Sequence, residues 1–505
     1  MKEQTGRTVR FAAVLMLAAL LLGSFAACKG TGKDPVPTQT SAVSTPGPEG
    51  TTAPQEVVAD IPDRKMDFDL VLLNYTDAGH GYSIKTMVVE ERDSDMVREA
   101  IYNRNMAIEE KYDCLITEQQ AERTWDRIQK DALIGSSEYH VALVYEEDVN
   151  KCLLADALAL YEEIPYLNTE KPWWNDSASD IYSYGGHQYA GVGDWCLSMY
   201  SKLHAYLLNK DFMNTVALED DLYDLVRDRE WTLEKMFEIA ALYGKDVDGE
   251  DQDTYGVVGT SKVHFQLLLT GSGLKYIEKD DNGYHFALTD ETSYRMIDRI
   301  MTLSAQYYYN NQPESANAGV NAKEFIENRV LLLAGIITTL SSLSNDAAHV
   351  GVLPAPLYDE DQDDYHTIAV GGLLTCFPGT LKQEDAENVG ILVEALCYAS
   401  WKDLVPLYQE KLLKIRRADS PDDSEMMDIL FRTMSFDLGC STWAKKIRLP
   451  IMENIFHTGL KGIVSSYMTG LAGTLDEEEF GAHISAIYSR YYRYTSERTG
   501  DAPGV

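Results

Sequence analysis

The chain has 505 residues, of which 44 are basic and 80 are acidic, so its formal net charge at pH 7 is −36. A chain of this length normally folds as more than one domain, because a single hydrophobic core stops growing at about 250–300 residues. A surface this acidic repels the phosphates of nucleic acids and anionic lipid headgroups, which excludes nucleic-acid binding.

Residues 1–27 have the organisation of a secretory signal. Basic residues precede the apolar run 11–22, and small residues follow it up to Cys28. The run is shorter than the ~20 apolar residues that span a bilayer comfortably, which favours a cleaved signal over a permanent membrane helix. The small residues resemble the cleavage motif of bacterial lipoproteins, although Phe25 stands where leucine is usual. The resemblance implies lipidation of Cys28, and ordinary cleavage before an unmodified cysteine is the alternative.

The segment 28–63 is rich in Thr, Ser, Pro and Gly and contains almost no large apolar side chain. Such a segment cannot bury enough apolar surface to fold. The sequence therefore predicts a flexible tether between the signal and the folded body.

Strands and helices alternate in the pattern of the next part of the chain. Strands are predicted at 68–75, 114–118 and 139–146, and helices at 95–113 and 124–137. This order indicates a parallel sheet with crossover helices. Ligands of such sheets bind beyond the carboxyl ends of the strands. These ends carry Tyr75 and Asp77 after the first strand, and Tyr145 and Glu146 after the third.

The rest of the chain predicts further α/β structure without an internal repeat. The predictions are a strand-like segment at 187–200, a helix over 230–245 capped by Thr232, a buried segment at 330–343, two strands around an acidic turn within 349–377, and a mostly helical C-terminal third.

The acidic segment 246–256 has carboxylates at alternate positions from Asp246. An EF-hand needs Gly at its sixth position and Glu at its twelfth, where this chain has Asp251 and Val257. We therefore predict a solvated acidic turn, with an irregular calcium site as the alternative.

Motifs for enzymes, metals and cofactors are missing. The sequence contains no nucleophile elbow, zinc-protease motif, P-loop or Rossmann glycine pattern. The cysteines beyond Cys28 show no Cys-x-x-Cys spacing, so we predict no zinc site and expect most of them to be buried free thiols. They are Cys114, Cys152, Cys196, Cys376, Cys397 and Cys440. No catalytic residue, cofactor or metal is predicted.

Several segments, in order, resemble the extracellular solute-binding proteins of family 1, the carbohydrate-uptake type. The clearest are Trp231-Thr232, which open a helix after an Asn-Lys segment, and the turn 351–356 followed by Tyr358 and Asp359. The 31 tyrosines agree with this resemblance, since their flat faces and polar tips suit sugar rings.

The resemblance implies an α/β fold of the periplasmic-binding-protein type 2, with two lobes joined by hinge crossings. The first lobe would hold 64–190 and 356–415, and the second 191–355 and 416–505. The crossings would lie near 191–194, 354–356 and 416.

Site residues also follow from the resemblance. The implied ligand-binding residues are Tyr75, Asp77, Tyr145 and Glu146 at the strand ends, Asp194 and Trp195 at the first crossing, and Trp443 late in the second lobe. A hinge salt bridge is the alternative role for Asp194, and packing between the lobes is the alternative for Tyr145.

The function implied is binding, not catalysis. A monomeric receptor, lipid-anchored on the extracellular face of the cell membrane, would capture a carbohydrate and deliver it to the permease of an ABC transporter. A peptide or polyamine receptor of the same fold, a surface-anchored glycan hydrolase and an adhesion lipoprotein are the alternatives.

Overall fold

The computed structural model describes most of the chain beyond the predicted tether. The described residues are 57–76, 86–245, 253–309, 322–343, 349–415, 420–457, 464–475 and 477–499. Predictions that lie outside them are the signal, Cys28, the tether as far as residue 56, Asp77, residues 246–252 of the acidic segment, and the crossing at 416.

The strands of the described residues are, in chain order, Phe68–Tyr75 (β1), Cys114–Ala121 (β2), Val141–Tyr145 (β3), Leu158–Ala159 (β4), Ser183–Tyr184 (β5), His187–Gln188 (β6), His204–Asn209 (β7), Tyr255–Val258 (β8), Ile277–Asp280 (β9), Gly283–Phe286 (β10), Tyr308–Tyr309 (β11), Val330–Ile336 (β12), Val350–Leu353 (β13), Thr367–Ile368 (β14), Leu373–Pro378 (β15) and Met434–Ser435 (β16).

The α-helices of the same residues are Met96–Tyr112 (α1), Thr124–Ile134 (α2), Val149–Leu154 (α3), Asp176–Ile181 (α4), Lys210–Met213 (α5), Leu222–Arg227 (α6), Leu233–Tyr243 (α7), Ser261–Gly271 (α8), Glu291–Tyr307 (α9), Ala322–Ile326 (α10), Ile337–Ser342 (α11), Gln383–Ala399 (α12), Val405–Ile415 (α13), Pro421–Arg432 (α14), Arg448–Ile451 (α15), Val464–Ala472 (α16) and Glu477–Thr499 (α17).

The first sheet has the strand order β2-β1-β3-β15-β4. β1 runs parallel to both β2 and β3, and β15 runs antiparallel to β3. Every residue of β3 is buried, as expected for a central strand covered on both faces. The predicted alternation of strands and helices between residues 68 and 146 is confirmed, because β1, α1, β2, α2 and β3 follow in that order.

The first helix of this sheet has the local signals that begin and end a helix. The side chain of Asp95 accepts hydrogen bonds from the backbone N–H groups of Val97 and Arg98, which lack partners within the helix. The helix ends at Asp113, whose φ of 56° places it in the left-handed region.

The second sheet has the strand order β11-β8-β12-β7-β13. β7 runs antiparallel to both β12 and β13, whereas β8 runs parallel to β12. The predicted cap at Thr232 is confirmed, since its side chain accepts a hydrogen bond from the backbone N–H of Lys235. The preceding Trp231 is buried and its Nε1 donates to the carbonyl of Pro354, 3.0 Å away.

Two chain segments run side by side between the first sheet and the second. Residues 189–203 lead from β6 to β7, and residues 354–372 lead from β13 to β15. The two segments are bridged between Leu203 and Ala369, and β14 of the second segment pairs with β16. The crossings therefore form a narrow ribbon between the sheets.

The segment 187–200 is less regular than predicted. It contains only the two-residue strand β6 and then turns. Glycines allow the close contacts of this path: a Cβ on Gly193 would lie 2.7 Å from the Sγ of Cys397 and 3.0 Å from the ring of Trp174. The apolar residues that predicted a strand here are buried among these neighbours.

From Val58 onward the chain forms one compact unit. The segment before β1 already contacts its core, because Ala59 and Ile61 pack against it. All six cysteines named above are buried and free, which confirms the prediction for most of them. Among the described residues, no helix has the length and apolar character needed to span a membrane.

Candidate functional site

A cavity of about 570 Å³ lies against the crossing segments. Residues from five stretches line it: 172–181, 192–200, 270–275, 364–368 and 431–437. The first stretch includes α4, and the third begins in the last turn of α8. The second and fourth belong to the crossings, and the fifth runs from the end of α14 through β16. The volume falls within the range of about 300–1,000 Å³ typical of small-molecule sites.

Asp194 is the predicted site residue that lines this cavity. Its side chain is 6% exposed, and its Oδ1 accepts a hydrogen bond of 2.7 Å from the hydroxyl of Tyr200. Burial raises the pKa of Asp194 to about 7, because the charged form loses hydration. Within the described residues Asp194 forms no ion pair, so the alternative role as a hinge salt bridge finds no partner there.

Two other aspartates of the cavity have firm protein partners. Burial alone would raise the pKa of Asp364, but hydrogen bonds from Arg432 leave it below its usual value. Asp437 accepts backbone N–H groups of Tyr276 and Gly439, each at 2.7 Å, and burial raises its pKa to about 7. These contacts fix the cavity wall.

Aromatic rings form another part of the lining. The rings of Tyr200 and Phe431 lie 4.5 Å apart, beside Asp194. Trp174 also lines the cavity, while its Nε1 donates to Glu394 at 2.9 Å. Its neighbour Trp173 donates to the other oxygen of Glu394 at 2.8 Å. The hydrogen bonds of their indole N–H groups thus fix both tryptophans to the buried Glu394.

The strand-end residues Tyr75 and Tyr145 lie side by side. Their ring centroids are 4.5 Å apart, and both side chains are buried, with exposed fractions of 3% and 6%. Burial raises the pKa of Tyr75 well above its ordinary value. The structure brings the two residues together at the carboxyl end of the first sheet, but neither lines the cavity.

Glu146 follows Tyr145 and is 2% exposed. Burial raises the pKa of its carboxyl group to about 8, although hydrogen bonds from the backbone of Gly371 and Gly372 partly oppose the shift. Glu146 does not line the cavity, so its assignment as a ligand-binding residue stays a prediction.

The two predicted tryptophans are packed in the protein interior. The Nε1 of Trp195 donates to the Oγ1 of Thr375 at 2.8 Å. The ring of Trp443 lies 5.3 Å from Tyr284 and 4.6 Å from Phe480. Both indoles are 2% exposed, and neither lines the cavity. Their assignment as ligand-binding residues stays a prediction.

Sequence reasoning missed Tyr200, Asp364, Phe431, Arg432 and Asp437 as lining residues. No motif joins them, because they come from three separate parts of the chain that meet only at the crossings. The many tyrosines indicate that aromatic rings line a binding site, but they do not indicate which tyrosines these are.

No protein-family model and no curated protein matches the chain. Solved structures do resemble it. A cyclo/maltodextrin-binding protein complexed with maltotetraose is 14% identical, with 84% of this chain and 97% of that chain covered and a TM-score of 0.50. An extracellular solute-binding protein from Staphylococcus aureus in complex with maltose is 13% identical, with 86% and 99% covered and a TM-score of 0.48.

At 14% identity, the first of these similarities is evidence of fold alone. It extends over 84% of this chain and 97% of the other, and the two sheets with their crossing segments agree with it. The predicted fold class is therefore confirmed: the protein has the mixed α/β, two-lobed architecture of solute-binding proteins.

Proposed function

We propose that the protein is an extracellular receptor that captures a carbohydrate between its two lobes and delivers it to the permease of an ABC transporter. The observation that carries the proposal is a cavity of about 570 Å³ at the crossings of a solute-binding fold. The similar cyclo/maltodextrin-binding protein holds maltotetraose, which supports a sugar as the ligand class.

The cavity lining has the chemistry that sugars require. The Asp194 carboxylate has acceptor capacity beyond its bond to Tyr200, and a carboxylate accepts sugar hydroxyls through charge-assisted hydrogen bonds. The rings of Tyr200 and Phe431 offer apolar faces for the C–H side of a sugar. A ligand that contacts both lobes would favour the closed arrangement through its higher affinity for that state.

Anchoring is the second part of the proposal. Lipidation of Cys28 would hold the receptor at the extracellular face of the membrane, and the tether, from Cys28 to the point where Ala59 packs against the core, would let the folded body reach its permease. A tether raises the effective concentration of the receptor at its partner. Mass spectrometry of the membrane fraction tests this part, because lipidation adds a diacylglycerol to Cys28 and Cys28→Ser abolishes it.

Thermal unfolding of the unlipidated chain from residue 28 onward tests the binding function. We expect maltotetraose or another oligosaccharide to raise the melting temperature, since a ligand at 100 times its Kd adds about 2.7 kcal/mol of stability. Asp194→Asn should weaken the shift, whereas Glu360→Gln, which changes an exposed carboxylate, should leave it intact. No shift across a panel of mono- and oligosaccharides would refute the carbohydrate assignment.

A polyamine receptor is the second candidate. The aspartates lining the cavity outnumber its basic residues, Lys275, His366 and Arg432. They are Asp176, Asp180, Asp194, Asp364 and Asp437. Stabilisation by spermidine with none by sugars would favour this candidate and retain the fold and the cavity.

A further inference from the structure

Three basic side chains line the cavity, and each comes from a different stretch of the chain. Lys275 lies shortly after α8, His366 directly precedes β14, and Arg432 is the last residue of α14. Both α8 and α14 pack against strands of the second sheet. Elements of the second sheet therefore supply two of the three basic groups.

Contacts of the backbone hold these three stretches next to one another. A Cβ on Gly273, two residues before Lys275, would lie 3.7 Å from the ring of His366. The residue after the histidine, Thr367, donates its backbone N–H to the carbonyl of Thr433 at 2.9 Å, directly after α14. The basic side chains therefore come from neighbouring parts of the cavity wall.

These side chains have hydrogen-bond donors that the described part of the protein does not use. Arg432 donates to the two oxygens of Asp364 at 2.6 and 3.3 Å, which leaves three of its five N–H groups. Lys275 is exposed and forms no hydrogen bond or ion pair with a described residue. Burial lowers the pKa of His366, so its ring is neutral at pH 7 and presents one N–H donor. An acceptor on the ligand would complete this set.

The aspartates of the cavity outnumber these basic groups, but the protein itself compensates most of them. Asp180 pairs with Lys279 at 3.0 Å, and Asp364 has the guanidinium described above. Asp437, which also faces Lys275, accepts two backbone N–H groups, and burial raises its pKa to about 7. The lining is therefore less negative than the number of its aspartates suggests.

The aromatic part of the lining adjoins the basic groups. Phe431, whose ring lies 4.5 Å from that of Tyr200, directly precedes Arg432, and all three residues line the cavity. Aromatic rings offer an apolar face to the C–H side of a sugar. A sugar against this aromatic wall therefore lies beside the basic groups.

We propose that Lys275, His366 and Arg432 form a subsite for the carboxylate of an acidic carbohydrate, one that contains uronic acid residues. Ammonium and guanidinium groups form charge-assisted hydrogen bonds with a carboxylate, and the guanidinium can bind both of its oxygens. The histidine N–H adds a neutral donor. The inference rests on the proposed function and assigns it an acidic sugar over a neutral sugar or a polyamine.

The net charge of −36 acts against an anion only at a distance. At physiological ionic strength salt screens the field of exposed charges beyond about 8 Å. Groups that touch the ligand act at hydrogen-bond distance, so the local basic cluster decides which charge the cavity accepts.

Isothermal titration calorimetry on the unlipidated chain from residue 28 onward tests the subsite. The probes are trigalacturonic acid, a glucuronic acid oligosaccharide, the methyl ester of each, and maltotetraose as a neutral sugar. Esterification removes the charge and keeps the sugar. We expect an acid to bind about tenfold tighter than its ester, since hydrogen bonds between charged partners contribute more than neutral ones.

Lys275→Met is the variant that breaks no hydrogen bond within the described chain. We expect it to weaken binding of the acid and to leave binding of the ester unchanged. Arg432→Met should weaken binding of the acid further, because it also leaves the Asp364 carboxylate without its partner. Lys245→Met is the matched control, since it removes an exposed ammonium that does not line the cavity and should keep the preference for the acid.

Equal affinity of the wild type for acid and ester would overturn the subsite and leave the proposed function standing. Binding of neutral sugars alone would do the same, as would a preference for the acid that persists in both Lys275→Met and Arg432→Met. Failure of every carbohydrate to bind the wild type would refute the proposed function itself. The preference of the wild type needs no variant, so it tests the subsite even where a substitution unfolds the chain.

Discussion

Three buried carboxyl groups have pKa values near neutrality: Glu146 at about 8, and Asp194 and Asp437 at about 7. In each, burial disfavours the charged form. Because the folded-state pKa lies above the unfolded value, the contribution of each group to stability is complete below the unfolded pKa of about 4 and is lost as the pH rises through the folded pKa. These groups favour the folded state in mild acid.

Glu146→Gln should remove the part of this pH dependence of stability that comes from the Glu146 carboxyl group. Gln resembles the protonated acid, so we expect the variant and the wild type to have similar free energies of unfolding at pH 5. At pH 9 the variant should be more stable by about 1–3 kcal/mol, since it carries no buried charge. Urea denaturation at the two pH values measures the difference, and parallel pH profiles of the two proteins would contradict the expectation.

Glu394 supports the aromatic wall of the cavity. Its two oxygens accept the indole N–H groups of Trp173 and Trp174, so Glu394→Ala leaves two buried donors without partners. We expect a loss of about 2–5 kcal/mol in the free energy of unfolding. Glu384→Ala, an exposed change on the same helix, should cost less than about 0.5 kcal/mol in chemical denaturation. Equal losses in the two variants would show that the indole bonds contribute little.

At the scale of elements, the crossing that follows β6 depends on the absence of a side chain at Gly193. Gly193→Ala would force the Cβ against Cys397 and Trp174, both of which are buried. We expect destabilisation of about 1–3 kcal/mol from the overpacking. Gly481→Ala is the control, since a Cβ there meets no atom within 4 Å and favours the helix. Melting temperatures of the two variants should shift in opposite directions.

The cap of α7 gives a second prediction at this scale. Thr232→Ala removes the side-chain acceptor for the N–H of Lys235, so we expect a loss of about 1 kcal/mol in chemical denaturation. Thr232→Ser should retain most of the stability, because serine supplies the same acceptor. A loss as large in the serine variant would point to packing of the methyl group instead.

Local elements followed from the sequence because their signals are local. The alternation and helical spacing between residues 68 and 146 predicted β1 to β3, and with them the strand-end position of Tyr75, Tyr145 and Glu146. The path after β6 did not follow, since it depends on contacts with Cys397, two hundred residues away in the chain. The resemblance to a family supplied the two-lobed plan, which periodicity alone does not determine.

The candidate site was predicted only in part for the same reason. The sequence indicates Asp194, but the ring of Phe431, which packs on its partner Tyr200, belongs to α14, more than two hundred residues away in the chain. Such groups become neighbours only when the sheets are in place.

At the scale of the whole molecule, the net charge of −36 dominates the long-range electrostatics. Excess like charge destabilises a compact state, and dissolved salt screens the repulsion. The exposed ion pairs are individually worth only about 0–1 kcal/mol, so their screening is the smaller effect. We therefore expect the melting temperature to rise between 10 and 150 mM NaCl, and a fall measured by calorimetry would show that the ion pairs prevail.

The pairing of β15 with β3 has a consequence for how the chain reaches its folded form. Leu373 lies opposite Tyr145, so the first sheet lacks an inner strand until much of the remaining chain has been synthesised. Contacts between such distant positions slow folding, because a long loop must close before they form. Until residues 373–378 have been made, the growing first sheet therefore has an unpaired edge along β3.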